Sequence, residues 1–187
     1  MKRLFDLTLS LILAVILLIP FLLVYLLVKL TSKGPGIHWS SRVGKNNALF
    51  KMPKFRTMYS DTPQLPTHLM NQETKSYVTP IGSFLRKSSL DEIPQLISIL
   101  SGKMSFVGPR PALYNQEDLI ALRTEKGVDK LVPGLTGWAQ INGRDEIPIP
   151  QKVDLDAYYL ENRTVFLDLK IICLTFFKVL GGSDIQH

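Results

Sequence analysis

The stretch Leu7–Val28, LTLSLILAVILLIPFLLVYLLV, contains 22 residues and no charged side chain. As an α-helix it would extend about 33 Å at about 1.5 Å per residue, which matches the hydrocarbon thickness of a bilayer. It is longer than the apolar region of a signal peptide, and no small-residue cleavage site follows it. We therefore expect residues 1–30 to form a membrane-embedded helix and residues 31–187 to form one globular domain.

Pro20 lies deep inside this apolar stretch, where it removes one backbone hydrogen bond and predicts a kink or break. Two geometries follow: a kinked helix that spans the membrane once, or a re-entrant helix that turns back at Pro20. Lys2 and Arg3 precede the stretch and a basic segment follows it. Because basic residues favour the cytoplasmic side, this pattern favours the re-entrant form. In either geometry we expect residues 31–187 to face the cytoplasm.

The net charge of +6 is concentrated next to the apolar stretch. Residues 29–60 contain no acidic side chain and seven basic ones, namely Lys29, Lys33, Arg42, Lys45, Lys51, Lys54 and Arg56. This placement favours anionic lipid or phosphate partners, and we expect no nucleic acid. One cysteine and three scattered histidines exclude an internal disulfide and a zinc module. A content of 45% hydrophobic residues excludes a disordered chain.

The rest of the chain predicts an α+β fold that is predominantly helical with short strands. The predicted strands are Ile37–Trp39, Ala48–Met52, closed by Pro53, and Ser105–Val107. The predicted helices are Ile81–Arg86, Asp91–Leu100, an amphipathic Leu113–Lys126, Val153–Leu160 and Phe166–Leu180. Ser88, Ser89 and Asp91 are all acceptable N-caps for the second of them. Asp61–Pro80 is expected to be a surface loop. The apolar Phe166–Leu180 suits either the membrane interface or the protein core.

The adjacent carboxylates Asp91 and Glu92 are the strongest candidates for chemistry, although acids at a helix start also serve as simple caps. Arg110, held between two prolines, could grip a phosphate with its planar fork or could pair with Asp91 structurally. Further cations are Lys54, Arg56, Arg86 and Arg144. Carboxylates among cations are what magnesium-assisted phosphoryl transfer requires. The sequence lacks the common nucleotide-binding and hydrolase motifs.

Four motifs resemble the bacterial sugar transferases, the small monotopic phosphoglycosyl transferases. They are Lys54–Met58 (KFRTM), Ser89–Leu96 (SLDEIPQL), Met104–Pro111 (MSFVGPRP) and Pro133–Arg144 (PGLTGWAQINGR). They are long, rare in combination and in the family's order. The family places a proline in the membrane helix, commonly after a serine, and this favours the re-entrant form. Here Ile19 precedes Pro20, so no serine hydroxyl assists the break.

The resemblance implies an enzyme that moves a sugar-1-phosphate from a UDP-sugar to polyprenol phosphate, undecaprenyl phosphate in bacteria, and releases UMP. It implies that Asp91 attacks the donor and carries the sugar-phosphate covalently, and that Glu92 holds Mg²⁺ or accepts a proton. It also implies phosphate binding by Arg110, Lys54 and Arg56, and a nucleotide or sugar pocket lined by the Pro133–Arg144 loop, in which we single out Gln140, Asn142 and Arg144.

The resemblance further implies a place on the cytoplasmic face of the bacterial inner membrane, an N-acetylated sugar and downstream glycosyltransferases as partners. Two other functions stay open at this point. A membrane-attached phosphohydrolase would pass the same intermediate to water. A scaffold without enzymatic activity would only bind anionic lipid through residues 29–60.

Overall fold

A computed structural model of the protein describes residues 2–59, 77–143 and 147–181. It confirms the prediction of a mostly helical α+β fold with short strands. The helices are α1 (Lys2–Ile16), α2 (Leu18–Thr31), α3 (Gly82–Lys87), α4 (Leu96–Leu100), α5 (Glu117–Glu125), α6 (Trp138–Ile141), α7 (Ile149–Asn162) and α8 (Val165–Gly181). The strands are β1 (Ile37–Val43), β2 (Leu49–Phe55), β3 (Ser105–Val107) and β4 (Gly134–Thr136). Short 3₁₀ helices cover Lys45–Asn47, Leu90–Gln95 and Val128–Lys130.

The apolar N-terminal segment forms two helices that are bent by 62°. No single helix among the described residues is long and apolar enough to cross a membrane, whereas α1 and α2 meet that test when taken together. The break lies at Leu17, three residues before Pro20. The proline ring clashes with the carbonyl four residues earlier, that of Ile16, so α1 ends there. Pro20 itself fits into the first turn of α2, where its missing N–H would have no partner in the helix.

Strands β1 and β2 form an antiparallel hairpin in which Ile37 pairs with Phe55 and Val43 pairs with Leu49. Both strands are longer than predicted. The expectation that Pro53 closes the second strand is wrong, because β2 continues through it to Phe55. A two-stranded ribbon leaves one edge of each strand free, and a proline is tolerated where its missing N–H faces the free edge.

The two N-terminal helices pack against the same globular body through different clusters. Leu9 and Leu13 of α1 contact the main core, which contains the fully buried Ile99 and Ile171. Val28 of α2 packs in a second cluster with Phe55 and Leu85, while Phe21 lies against it. Both ends of the bent pair are therefore fixed to one structure.

Polar contacts also hold the start of α1 in place. Lys2 Nζ lies 2.6 Å from Asp168 Oδ2 of α8, and the Arg3 guanidinium donates to the Ile99 and Leu100 carbonyls at 2.6 and 2.7 Å. The buried Asp6 carboxylate accepts hydrogen bonds from the Ser105 hydroxyl and the Phe106 N–H, both at 3.1 Å. These contacts place the first turns of α1 beside β3.

Strands β3 and β4 are parallel, and Ser105 pairs with Gly134 while Val107 pairs with Thr136. The chain approaches itself closely beyond β3: a Cβ atom on Gly108 would lie 2.4 Å from the Val132 carbonyl oxygen. Only glycine fits at that position. The strand predicted at Ser105–Val107 is confirmed without change.

The predicted helices exist, with corrected bounds. The helix predicted at Leu113–Lys126 covers only Glu117–Glu125, because residues 113–116 form a turn closed by the Leu113 N–H donating to Gln116 Oε1 at 2.8 Å. The predicted Val153–Leu160 lengthens to Ile149–Asn162. The part of the predicted 61–80 loop that spans residues 61–76 lies outside the described residues.

Helix α8 is buried on one side and exposes apolar side chains on the other. Ile171 and Asp168 are buried against the globular body, as in a core helix. On its outer side Phe166 is 79% exposed, and Phe176 and Phe177 are 61% and 63% exposed. The described part of the structure therefore leaves an apolar face of α8 uncovered.

Candidate active site

The carboxylate pair lies just after a sharp change in backbone direction. Helix α3 ends at Lys87, and Ser89 adopts the left-handed conformation with φ of 55°. A residue in the left-handed conformation commonly ends a helix. The conformation is strained for residues other than glycine, asparagine and aspartate. The chain then enters the 3₁₀ helix Leu90–Gln95, which carries Asp91 and Glu92 in its first turn.

Of the three candidate N-caps, Ser88, Ser89 and Asp91, it is Ser89 that stands at the N-cap position. Ser89 precedes the 3₁₀ helix, and its side chain makes no capping hydrogen bond. The α-helix predicted to begin at Asp91 forms only from Leu96 to Leu100. Capping therefore does not explain why two acids stand at this point.

Lys54 of β2 reaches both carboxylates. Its Nζ atom lies 2.7 Å from Glu92 Oε1 and 3.7 Å from Asp91 Oδ2. Arg110 approaches the same Glu92 oxygen, with its Nη2 atom at 3.6 Å. Arg86 of α3 acts electrostatically on Asp91, and its Nη2 atom lies 3.2 Å from the sulfur of Met58. Three of the predicted cations thus surround the pair.

The two carboxyl groups have opposite pKa shifts. Burial raises the pKa of Asp91, and the charge of Glu92 adds to this shift, against the opposing effects of Lys54, Arg86 and Arg110. Burial would also raise the pKa of Glu92, but the charges of Lys54 and Arg110 outweigh it and lower the pKa to about 2. Neighbouring titratable groups with divergent pKa values are typical of catalytic sites.

The carboxylate oxygens of Asp91 and Glu92 are the type of ligand that binds a magnesium ion. Among the described residues there is no group of three or more acidic, histidine or cysteine side chains that could hold a metal alone. Magnesium commonly binds one or two carboxylates together with the phosphate oxygens of a substrate. Asp91 and Glu92 could supply the protein's share of such a site.

Arg56 makes its hydrogen bonds outside this cluster, and the expectation that it neutralises a diphosphate stays a prediction. Its guanidinium donates to the carbonyl oxygens of Lys33 and Ser32 at 2.6 and 2.8 Å and to the Ser32 hydroxyl at 2.7 Å. The side chain is buried. Arg56 therefore fastens β2 to the connection that follows α2.

The structure describes the predicted pocket loop, Pro133–Arg144, only up to residue 143, so Arg144 lies outside the described residues. Gln140 Nε2 donates to the Leu135 carbonyl at 3.1 Å, while its buried Oε1 has no hydrogen-bond partner among the described residues. Asn142 is exposed and donates to the Trp138 carbonyl at 2.8 Å. Helix α6, which carries Gln140, packs on α7 and α8. The structure thus does not bring Gln140 and Asn142 into contact with the carboxylate pair.

Two residues near the site were missed by sequence reasoning. Gln95 is buried and hydrogen-bonds to Glu92 three residues earlier, at the repeat of a 3₁₀ helix. His38 pairs with Lys54 across the hairpin. Burial, Arg42, Lys51 and Lys54 all lower the pKa of His38. The three-residue repeat of a 3₁₀ helix could have indicated that Gln95 lies next to Glu92. The position of His38 beside Lys54 could be predicted only with the register of the hairpin.

Comparison with known proteins finds matches over nearly the whole chain. A family model described as bacterial sugar transferase matches residues 1–182. The uncharacterized sugar transferase EpsL of Bacillus subtilis is 42% identical, and the match covers 100% of this chain and 91% of EpsL.

Two longer relatives carry more specific names. The undecaprenyl-phosphate glucose phosphotransferase of Komagataeibacter xylinus is 41% identical over 93% of this chain and 35% of its own length. The UDP-glucose:undecaprenyl-phosphate glucose-1-phosphate transferase of Escherichia coli is 37% identical over 95% of this chain and 40% of its own length. The chain thus spans less than half of these two proteins.

Proposed function

Because the chain belongs to the bacterial sugar transferase family, we propose that it transfers a sugar-1-phosphate from a UDP-sugar to undecaprenyl phosphate. The names of the K. xylinus and E. coli relatives support the lipid acceptor, and the E. coli name supports a UDP-sugar donor. The observation that carries the proposal is the buried Asp91 carboxyl beside Glu92, with Lys54, Arg86 and Arg110 around the pair. This arrangement supplies a nucleophile and the positive charge that a diphosphate needs.

In the first half-reaction, an Asp91 carboxylate oxygen attacks the β-phosphorus of the UDP-sugar. A new oxygen–phosphorus bond forms, and the bond from that phosphorus to the bridging oxygen breaks, so UMP leaves with the electron pair. Arg110 and Lys54 balance negative charge on the phosphates, and the rigid fork of Arg110 suits two phosphate oxygens. The sugar-phosphate remains on Asp91 as an acyl phosphate.

In the second half-reaction, a phosphate oxygen of undecaprenyl phosphate attacks the same phosphorus. The acyl phosphate bond breaks, Asp91 is regenerated and the product is a lipid diphosphate that carries the sugar. Glu92 keeps Lys54 and Arg110 in place during both steps, because its carboxylate binds both cations. Mg²⁺, held by Asp91 and Glu92, would supply charge neutralisation on the phosphates when bound.

The bent helix pair supports a re-entrant membrane anchor, and the family resemblance suggests the cytoplasmic face of the bacterial inner membrane as its place. Both of its ends are fixed to the same globular body, as a segment that returns to its side of entry requires. Side chains near the bend are well exposed, with Val15 at 78% and Ile19 at 69%. The uncovered apolar face of α8 suits the membrane interface next to this anchor. The lipid acceptor would then reach the site from the bilayer, and its product would pass to downstream glycosyltransferases.

The test is to incubate the purified full chain in detergent with undecaprenyl phosphate, Mg²⁺ and a panel of UDP-sugars. The panel includes UDP-glucose, which the relatives' names favour, and the N-acetylated sugars that the family resemblance favours. We expect UMP release and a sugar-linked lipid diphosphate with one donor. Without the lipid, we expect about one UMP per protein and a sugar-phosphate mass on the peptide that contains Asp91.

The control variants are Asp91→Asn, which should give no adduct, and Glu92→Gln, which should slow both adduct formation and turnover while still giving some adduct. Continuous UMP release without the lipid would instead establish a phosphohydrolase. UMP release that always requires the lipid, with no adduct detected, would overturn the covalent mechanism and favour direct transfer. Lipid binding with no UMP release from any donor would leave the scaffold as the function.

A further inference from the structure

A buried ion pair, Arg123–Asp156, contacts the backbone of the turn that carries Arg110. Arg123 of α5 donates from Nε and Nη2 to Asp156 Oδ2 of α7, at 3.0 and 2.6 Å. Its remaining Nη1 donates to the main-chain carbonyl of Arg110 at 2.8 Å. Arg123 is 8% exposed and Asp156 1%. The guanidinium of one arginine thus fixes the backbone of another, whose side chain points to the carboxylate pair.

The neighbouring carbonyls of the same turn are fixed as well. The Pro109 carbonyl accepts the Gly134 N–H of β4 at 2.9 Å, and the Pro111 carbonyl accepts Arg42 Nη1 of β1 at 3.2 Å. Together with Arg123, three elements hold three successive carbonyls. The flanking prolines restrict φ in the turn. The backbone of Arg110 therefore has little freedom to move.

Stability alone is a poor explanation for the ion pair. Burying two charges carries a desolvation penalty, and an apolar pair of similar volume is often as stable or more stable. Burial raises the pKa of Asp156 against the opposing effect of Arg123, which reflects this penalty. Lys126, the residue directly after α5, also pairs with Asp154 of α7 on the surface. The buried pair therefore needs a role beyond joining two helices.

We infer that Arg123 and Asp156 are positioning residues that hold the guanidinium of Arg110 at the carboxylate pair. The inference rests on the proposed function, in which Arg110 grips a donor phosphate. Asp156 uses both of its hydrogen bonds to orient Arg123, and Arg123 in turn fixes the Arg110 carbonyl. Loss of either residue should loosen the turn and misplace the phosphate-binding fork, although neither residue touches the substrate.

The test is a double-mutant cycle on the full chain, measured as kcat/KM for UMP release with the donor identified above. Arg123→Lys keeps the charge next to Asp156 but cannot make all three hydrogen bonds. We expect it to lower kcat/KM by about 10-fold or more, mainly through kcat, because a small misplacement of a catalytic group is costly. In an Arg110→Ala background, the same substitution should change kcat/KM by less than about 2-fold, because its effect passes through Arg110.

Asp156→Asn, which preserves the shape of the side chain, is taken through the same cycle in case Arg123→Lys folds poorly. Thermal melts give the folded fraction used to correct each rate. The matched control is Lys126→Ala, which breaks the surface ion pair with Asp154 of α7 and should leave kcat/KM unchanged. Equal losses in both backgrounds would overturn the inference and leave a structural role. A wild-type chain without UMP release would instead refute the proposed function and the inference with it.

Discussion

Replacing Lys54 by methionine tests the electrostatic account of the carboxylate pair. Lys54 and Arg110 lower the pKa of Glu92 from its ordinary 4.5 to about 2, and the charge of Lys54 is the larger of these two contributions. A difference of this size corresponds to about 3 kcal/mol of folding free energy. Glu92 is only 19% exposed, so solvent screens this interaction little. Lys54→Met should therefore lower the free energy of unfolding at pH 7 by about 2 kcal/mol.

The pH dependence gives the sign of the effect. Because the pKa of Glu92 is lowered in the fold, its stabilising contribution is present above pH 4.5 and is lost as the pH falls towards about 2. Urea unfolding in detergent, followed by circular dichroism at several pH values, would measure the free energy of unfolding as a function of pH. In Lys54→Met, most of the Glu92 contribution to the loss of stability between pH 5 and pH 2 should disappear, because the pKa of Glu92 then lies closer to its ordinary value.

Lys51→Met is the matched control, because Lys51 lies on the same strand and its Nζ bonds to the Ser41 hydroxyl at 2.7 Å. It removes a lysine without touching a carboxylate. We expect a change in the free energy of unfolding of less than about 0.5 kcal/mol and an unaltered acid profile. If the two variants unfold alike at every pH, the argument that Lys54 stabilises the ionised Glu92 is refuted.

Three further predictions follow from the site and the helix pair. Arg110→Lys loses the two-point fork and should cost about 2 kcal/mol of transition-state stabilisation, seen in kcat; unchanged kinetics would make it a structural residue. Asp91→Asn should abolish UMP release yet unfold no more easily than the wild type. In the wild type, burial raises the pKa of the Asp91 carboxyl, so stability is lost as the pH rises from the ordinary pKa of 3.8 through the raised pKa, and the ionised carboxylate weakens the fold at higher pH. In a Cys173→Ser chain, Lys2→Cys and Lys45→Cys should both react with impermeant reagents from the cytoplasmic side only, and labelling of Lys2→Cys from the opposite side would show a helix that spans once.

Local patterns were sufficient to predict the helix pair and much of the site. The apolar run and Pro20 predicted a kink or break at Pro20, whereas the structure has the break three residues earlier, at Leu17, because the proline ring contacts the preceding turn. The motif containing Asp91 and Glu92 and the turn around Arg110 were visible as short segments. The positions of these segments relative to each other were implied by the family resemblance rather than by their spacing.

Contacts between distant segments could not be predicted in this way. Arg56 was grouped with the phosphate-binding cations because of its charge, but the chain uses it to hold carbonyls 23 and 24 residues earlier. Arg123 and Asp156 are 33 residues apart, and each would be expected on a solvated helix face. Periodicity shows which face of a helix is apolar, but it does not show which polar group meets a partner inside the fold.

The division of labour within the carboxylate pair follows from their surroundings. A carboxylate with a pKa near 2 is a weak base at neutral pH, so Glu92 is poorly suited to accept a proton from the incoming lipid phosphate. Because Glu92 pairs with Lys54 and Arg110, it is suited to keep these two cations in the site. Asp91 has the raised pKa of a less solvated and more basic carboxyl, and such an oxygen, once ionised among its cations, is the better nucleophile. The two acids are adjacent in the chain, yet burial and the position of one lysine favour the proposed roles, in which Asp91 attacks and Glu92 gives electrostatic support.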